Sequence, residues 1–149
     1  MKVDTHLTQN WRKVPAAVQA AEADGYDGVG TAEMNHDPFF PLLLAAEHSE
    51  SIEIRTGIAV AFARSPMILA NQAHDLNAYS KGRFTLGLGS QIRPHITKRF
   101  SMPWGAPAAQ MRELIQAMRA IWANWYDGEP LRFEGKYYNH TLMTHAFTQ

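Results

Sequence analysis

The chain has 149 residues, with 14 basic and 14 acidic side chains and a formal net charge of zero, so nothing in the totals suggests an electrostatic attachment to nucleic acid or to an acidic membrane surface. It has no cysteine, so disulfides and thiolate metal sites are excluded. No apolar run approaches the roughly 20 residues of a membrane span, and Met1–His6 lacks a basic stretch followed by an apolar one, so we expect a cytoplasmic protein, a single domain over 1–149.

The pattern alternates strand and helix. Lys2–Leu7 reads as a first strand and Trp11–Asp24 as a helix, with Val14, Ala17, Val18 and Ala21 on one face and Gly25 placed to end it. Tyr26–Ala32 is a second strand, and Pro41–Ser49 a second, strongly apolar helix. Ile52–Phe62 is the third and clearest strand; its nearly continuous apolar stretch from Ile58 suits a strand covered on both faces. Ser65 followed by Pro66 has the chemistry of a helix start, and that helix is expected to reach about Ala78. Ser80–Arg83 is a turn and Phe84–Gly89 a fourth strand. After an insertion comes a long helix from Pro107 to Trp125, with Met111, Leu114, Ile115, Met118, Ile121, Trp122 and Trp125 at steps of three and four. Leu131–Tyr138 forms a small hairpin or an extended arm, and Thr141–Gln149 has no clear element. Such alternation implies right-handed crossovers and a parallel sheet, here of about four strand–helix units.

In parallel α/β folds the reactive groups gather at the carboxyl ends of the strands. The first strand ends at His6, the second at the run Glu33-Met34-Asn35-His36-Asp37, the third near Phe62-Ala63-Arg64 and the fourth at Gly89-Ser90-Gln91. Glu33, Asn35, His36 and Asp37 could act as acid and base or orient a ring carbonyl, histidine being the natural proton carrier near neutral pH. Equally, Asp37-Pro38 could simply start a helix, and Asn35 or His36 shape a loop. No ligand spacing for a metal is present, so no metal site is expected. Gly87-Leu88-Gly89-Ser90 lacks the third glycine of a dinucleotide fingerprint; its glycines are better suited to a close approach of a ring or backbone. His48, His74 and Asp75 read as helix-surface groups, and Arg93, His95, Lys98 and Arg99 as a basic stretch that either holds an anionic tail or is a solvated face.

The run Ser80-Lys81-Gly82-Arg83-Phe84-Thr85-Leu86-Gly87-Leu88-Gly89 resembles the luciferase-like monooxygenase superfamily, in particular its branch dependent on the deazaflavin coenzyme F420. Gly25–Val29, His36–Phe39, Leu43–Ser49, Ile54–Pro66, Met118–Trp122 and Phe133–Tyr138 are similar to the same family, in the same order. The resemblance implies an α/β fold that is a partial TIM-type (βα) barrel, the N-terminal half of a (βα)8 barrel of roughly 250 residues. It implies a cis non-proline bulge near Gly57-Ile58, so that Gly57, Ile58 and Ala59 support a cofactor ring from behind while Gly89, Ser90 and Gln91 touch its ring or side chain. The cofactor so implied is coenzyme F420, with FMN as the alternative. Candidate catalytic residues are then His36, for the proton coupled to hydride transfer, with Glu33 and Asn35 orienting it or bonding the ring; His6 would face the substrate. The implied reaction is hydride transfer between a small organic substrate and F420. The alternatives are an FMN-dependent monooxygenase and a non-catalytic half-barrel that acts only by assembly. The implied partners are a small-molecule substrate and either a second copy of the chain or the missing C-terminal half.

Overall fold

A computed structural model describes all residues, 1–149, which fall into two compact units. The first comprises residues 1–60 and 72–89, the second residues 61–71 and 90–149.

In the first unit the strands β1 (Asp4–His6), β2 (Gly28–Thr31), β3 (Glu53–Thr56), β4 (Ala59–Val60), β5 (Phe84–Thr85) and β6 (Leu88–Gly89) alternate with helices α1 (Val14–Ala23) and α2 (Phe39–Glu47) and the later turns of α3 (Pro66–Tyr79). The sheet runs in the order β1-β2-β3-β5 with every neighbouring pair parallel, and β4 pairs with β6, also in parallel. Parallel order follows from strand–helix alternation, because each crossover returns the chain to the same end of the sheet. The register places Thr5, Val29, Ile54 and Phe84 across from one another on one face and His6, Gly30, Arg55 and Thr85 on the other. Against the first face pack Val14, Val18 and Ala21 of α1 and Leu42, Ala45 and Ala46 of α2, all buried. The second face is polar, with an Asp4–Arg55 ion pair lying across it.

Two of the expected strands are broken. The run Ile52–Phe62 is not one strand but β3, a cis peptide bond between Gly57 and Ile58, β4, and then a 3-10 turn over Ala61–Ala63. Phe84–Gly89 likewise splits into β5 and β6. The reason lies in one side chain. The Thr56 hydroxyl donates to the Gly87 carbonyl at 2.8 Å and accepts the Gly87 N–H at 2.8 Å, while Ala59 N donates to the same carbonyl at 2.8 Å. A hydroxyl has replaced the regular ladder partner, so both strands step at the same level. Other boundaries shift by a few residues: α2 starts at Phe39, two residues before Pro41, where Asp37 Oδ1 accepts the Phe39 N–H at 2.8 Å.

Two polar hubs tie this unit together. The Arg83 guanidinium donates to Ser49 Oγ and to the carbonyls of Ile52, Ala46, Ser49 and Ser80 at 2.8–3.1 Å, satisfying orphan carbonyls at the end of α2. Glu22, at the end of α1, accepts the backbone N–H groups of Glu50, Ser51 and Ile52 and the Ser51 hydroxyl. Burial opposes its ionisation, but these donors outweigh it and hold the carboxyl at about 2. A depressed carboxylate stabilises the fold above its unfolded value of 4.5, and the contribution is lost as pH falls from there toward about 2. Glu22→Gln is therefore expected to lose about 2 kcal/mol at pH 7, allowing for the half-buried position. In urea titrations the gap between wild type and variant should shrink steadily below pH 4.5; a gap independent of pH would show that the carboxylate charge is not what holds the loop.

The second unit is built on α4 (Pro107–Asp127), whose face of Leu114, Ala117, Met118, Ile121 and Trp125 is buried. Trp122 Nε1 donates to the Ala70 carbonyl at 3.3 Å. Strands β7 (Phe133–Glu134) and β8 (Asn139–His140) form an antiparallel hairpin, the first of the two expected forms, with its second strand just past the expected Leu131–Tyr138. The Glu113 carboxylate holds that hairpin by accepting the N–H groups of Lys136, Tyr137 and Tyr138 at 2.6–3.1 Å. The expected basic stretch lies on a short π-helical turn, His95–Arg99, which buries Ile96 and exposes Arg93, His95, Lys98 and Arg99. No helix of the chain is long and apolar enough to cross a membrane.

Candidate functional site

The carboxyl ends of β1, β2, β4 and β6 lie in the first unit, and three of the sequence-predicted groups meet there. Gly57 and Ile58 form the step between β3 and β4, the cis bond falling where the family resemblance puts it. Gly57 is exposed, Ile58 half-buried and Ala59 buried. Glu33, in the loop after β2, grips this step at two points: its N–H donates to the Ile58 carbonyl at 3.1 Å, and its Oε2 accepts the Val60 N–H at 2.7 Å. Gly57 N donates to the Thr31 carbonyl at 2.6 Å, so the step is bonded to the β2 loop along its length.

Gly89, at the end of β6, lies against Ile58. A Cβ at that position would stand 2.7 Å from Ile58 Cδ1 and 2.8 Å from its Cγ1, distances that a real side chain does not reach. Glycine is thus required for the isoleucine to lie flat on the neighbouring strand. Gly57, Ile58 and Gly89 make a low apolar floor with no side chain rising from the two glycines. Such a floor suits a flat heteroaromatic ring approached from one side.

Asn35 and His36 follow Glu33 in an exposed stretch of the loop. The loop is closed by Thr31, whose hydroxyl donates to the Pro38 carbonyl at 2.9 Å, and by the Asp37 cap on Phe39. Asp37 therefore has the structural task that the sequence allowed for it. The His36 ring meets the indole of Trp11 edge-on, with centroids 5.8 Å apart and planes at 65°. Together with His6, Leu7, Met34 and Pro41 these rings line a cavity of about 280 Å³. Ser90 and Gln91 belong to the second unit, where Ser90 Oγ donates to the Gln91 carbonyl at 3.1 Å and Gln91 takes a left-handed φ of 58°.

In the sequence Trp11 looks like the first residue of an ordinary helix. It sits instead in a 3-10 turn, Trp11–Lys13, capped by Asn10 Oδ1 on Arg12 N at 3.2 Å. The available signal was its position a few residues past the carboxyl end of β1.

The sequence family described as luciferase-like monooxygenase matches residues 2–148. An uncharacterized protein of Mycobacterium tuberculosis is 57% identical over 148 residues, covering 99% of this chain and 44% of its own length. The chain thus spans less than half the length of that relative. Among solved structures, the oxygenating constituent of 3,6-diketocamphane monooxygenase from Pseudomonas putida, in complex with FMN, superposes with a TM-score of 0.80 at 17% identity, over 97% of this chain and 45% of that one. The coenzyme F420 dependent tetrahydromethanopterin reductase of Methanopyrus kandleri superposes with a TM-score of 0.73 at 20% identity, over 94% and 44%. At these identities the two structures establish a shared fold: the parallel strands and helices of this chain correspond to about half of a luciferase-like TIM barrel.

Proposed function

Because the chain belongs to the luciferase-like monooxygenase family, we propose that it forms the N-terminal half of an oxidoreductase that moves a hydride between a small organic substrate and coenzyme F420. The observation that carries this reading is the floor of Gly57, Ile58 and Gly89, with no side chain on its two glycines and its backbone held by Glu33. Gly57, Ile58 and Ala59 would support the cofactor ring, and Gly89 would let it approach. When bound, the deazaflavin supplies the hydride chemistry, and the protein positions and shields it. His36 donates or accepts the proton coupled to that transfer, Asn35 orients His36 or bonds the ring, and His6 faces the substrate. Glu33 acts here through the backbone it holds. The remaining barrel wall comes from further strand–helix units, carried by more chain or by a second copy.

FMN is the second reading, favoured by the fold shared with an FMN-bound monooxygenase. Titration separates them. Fluorescence of F420 and of FMN is followed as protein is added, for wild type and for Gly89→Ala. F420 is expected to bind at least about tenfold more tightly than FMN, and the alanine, whose Cβ displaces the Ile58 side chain, to weaken F420 about tenfold. FMN binding more tightly transfers the reading to a flavin monooxygenase. Undiminished F420 binding by Gly89→Ala removes the floor as the cofactor's seat.

A further inference from the structure

We propose that the cavity beside His36 takes a small neutral molecule, with an apolar body of about six to ten heavy atoms and a single carbonyl or hydroxyl, and that Trp11 sets its size limit. This deepens the reading above and rests on it for the role of His36.

The chemistry of the lining makes the choice. Leu7, Trp11, Ala32, Met34, Pro38 and Pro41 supply an apolar wall. No lysine or arginine lines the cavity, so a carboxylate or phosphate would meet no fixed counter-charge. Most of its polar groups already serve the loops. Thr31 donates to the Pro38 carbonyl at 2.9 Å, Thr8 Oγ1 accepts the Asn10 N–H at 3.2 Å, and Gln9 Nε2 contacts Met34 Sδ at 3.7 Å. The Asp37 carboxylate accepts the Phe39 N–H at 2.8 Å. The imidazoles of His6 and His36, with the hydroxyl of Thr8 and the amide of Gln9, can meet an incoming oxygen, which fits a small hydrogen-bonding group on an otherwise apolar ligand.

Trp11 is the largest group in the wall; it is partly exposed and has two ring neighbours. The turn before it is tied by Thr8 and Asn10. Its indole stands edge-on to His36 at 5.8 Å and tilted against Phe40 at 5.6 Å. At about 280 Å³ the cavity is at the small end for a ligand site, and the indole is part of its lining. Trp11 thus acts as a specificity-determining wall and, by its contact with His36, as a positioning residue.

The test uses the chain without any cofactor. Nuclear magnetic resonance titrations follow the Trp11 indole N–H and the His36 ring C–H signals as cyclohexanone, cyclohexanecarboxylate or cyclododecanone is added. Cyclohexanone is expected to shift both signals, with the carboxylate and the twelve-membered ketone at least about tenfold weaker. In Trp11→Ala, followed at His36, the order of the two ketones should invert by about tenfold or more, while Trp11→Phe keeps the wild-type order. Trp11→Leu replaces the alanine variant if that one does not fold. Equal binding of the carboxylate overturns the neutral-ligand assignment, and an unchanged size order in the truncated variants overturns the role of Trp11. Since no cofactor is present, failure of F420 to bind at Ile58 leaves this result standing. Loss of cyclohexanone binding with F420 binding intact removes only the pocket.

Discussion

Gly87→Ala is expected to destabilise the protein by about 3–5 kcal/mol, enough to leave a marginally stable domain largely unfolded. The added Cβ would stand 2.1 Å from the Thr56 carbonyl oxygen and 3.3 Å from its carbon. Those are backbone atoms, so no rotamer change relieves the collision. Thr56 is itself 2% exposed, and the next residue is anchored through the Gly57 N–H to the Thr31 carbonyl at 2.6 Å. The strands must therefore part. Parting them forfeits the two bonds that Thr56 exchanges with Gly87 and the bond from Ala59 N, each worth about 1 kcal/mol, and leaves buried polar groups behind. Urea denaturation followed by circular dichroism measures the cost. Thr56→Val, which removes the hydroxyl without the collision, should lose about 1–2 kcal/mol by the same assay. A Gly87→Ala protein with wild-type stability would mean that the strand step is not where the structure puts it.

His36→Ala is expected to lower turnover of the assembled oxidoreductase by about 10²–10⁴-fold, the usual range for a positioned acid–base group. Cofactor affinity should stay within about threefold, because the groups that hold the floor are the backbone of residues 57–60 and Glu33, not His36. The exposed position also predicts a stability change within about 1 kcal/mol, chiefly from the lost edge contact with Trp11. Single-turnover measurements separate these effects: the hydride-transfer step slows while the binding step does not. Full turnover by His36→Ala would remove its proposed role as the proton carrier.

Much of the fold was legible because it is written in local patterns. The apolar periodicity of α1 and α4, the Asp37-Pro38 cap and the strand–helix alternation each act over a few residues, and the parallel order follows from them. The split third strand was not legible from periodicity. Ile58–Phe62 is apolar without interruption, and burial on all sides looks the same for a strand, a step and a 3-10 turn. What breaks it is a hydroxyl bonded to a glycine 31 positions away, a contact with no local signature. Only the family resemblance placed the step, at Gly57-Ile58. Glu33 was singled out as a polar residue at a strand end, but its clasp on Val60 spans 27 positions, and no spacing rule foretells it. Trp11 went unremarked because an aromatic at the start of a helix normally signals core packing. Its meeting with His36 depends on two loops from different strands arriving at one place.

The central claim is that the cofactor ring rests on Ile58. Its δ1 methyl reports directly on this, because an aromatic ring stacked on it shifts the proton resonance upfield. Methyl-labelled protein is titrated with F420 and the Ile58 signal is compared with those of the buried Ile54, Ile96 and Ile121. A saturable upfield displacement of Ile58 that tracks F420 binding, with the other isoleucines essentially unmoved, is the predicted result. F420 that binds while the Ile58 methyl stays in place would contradict it.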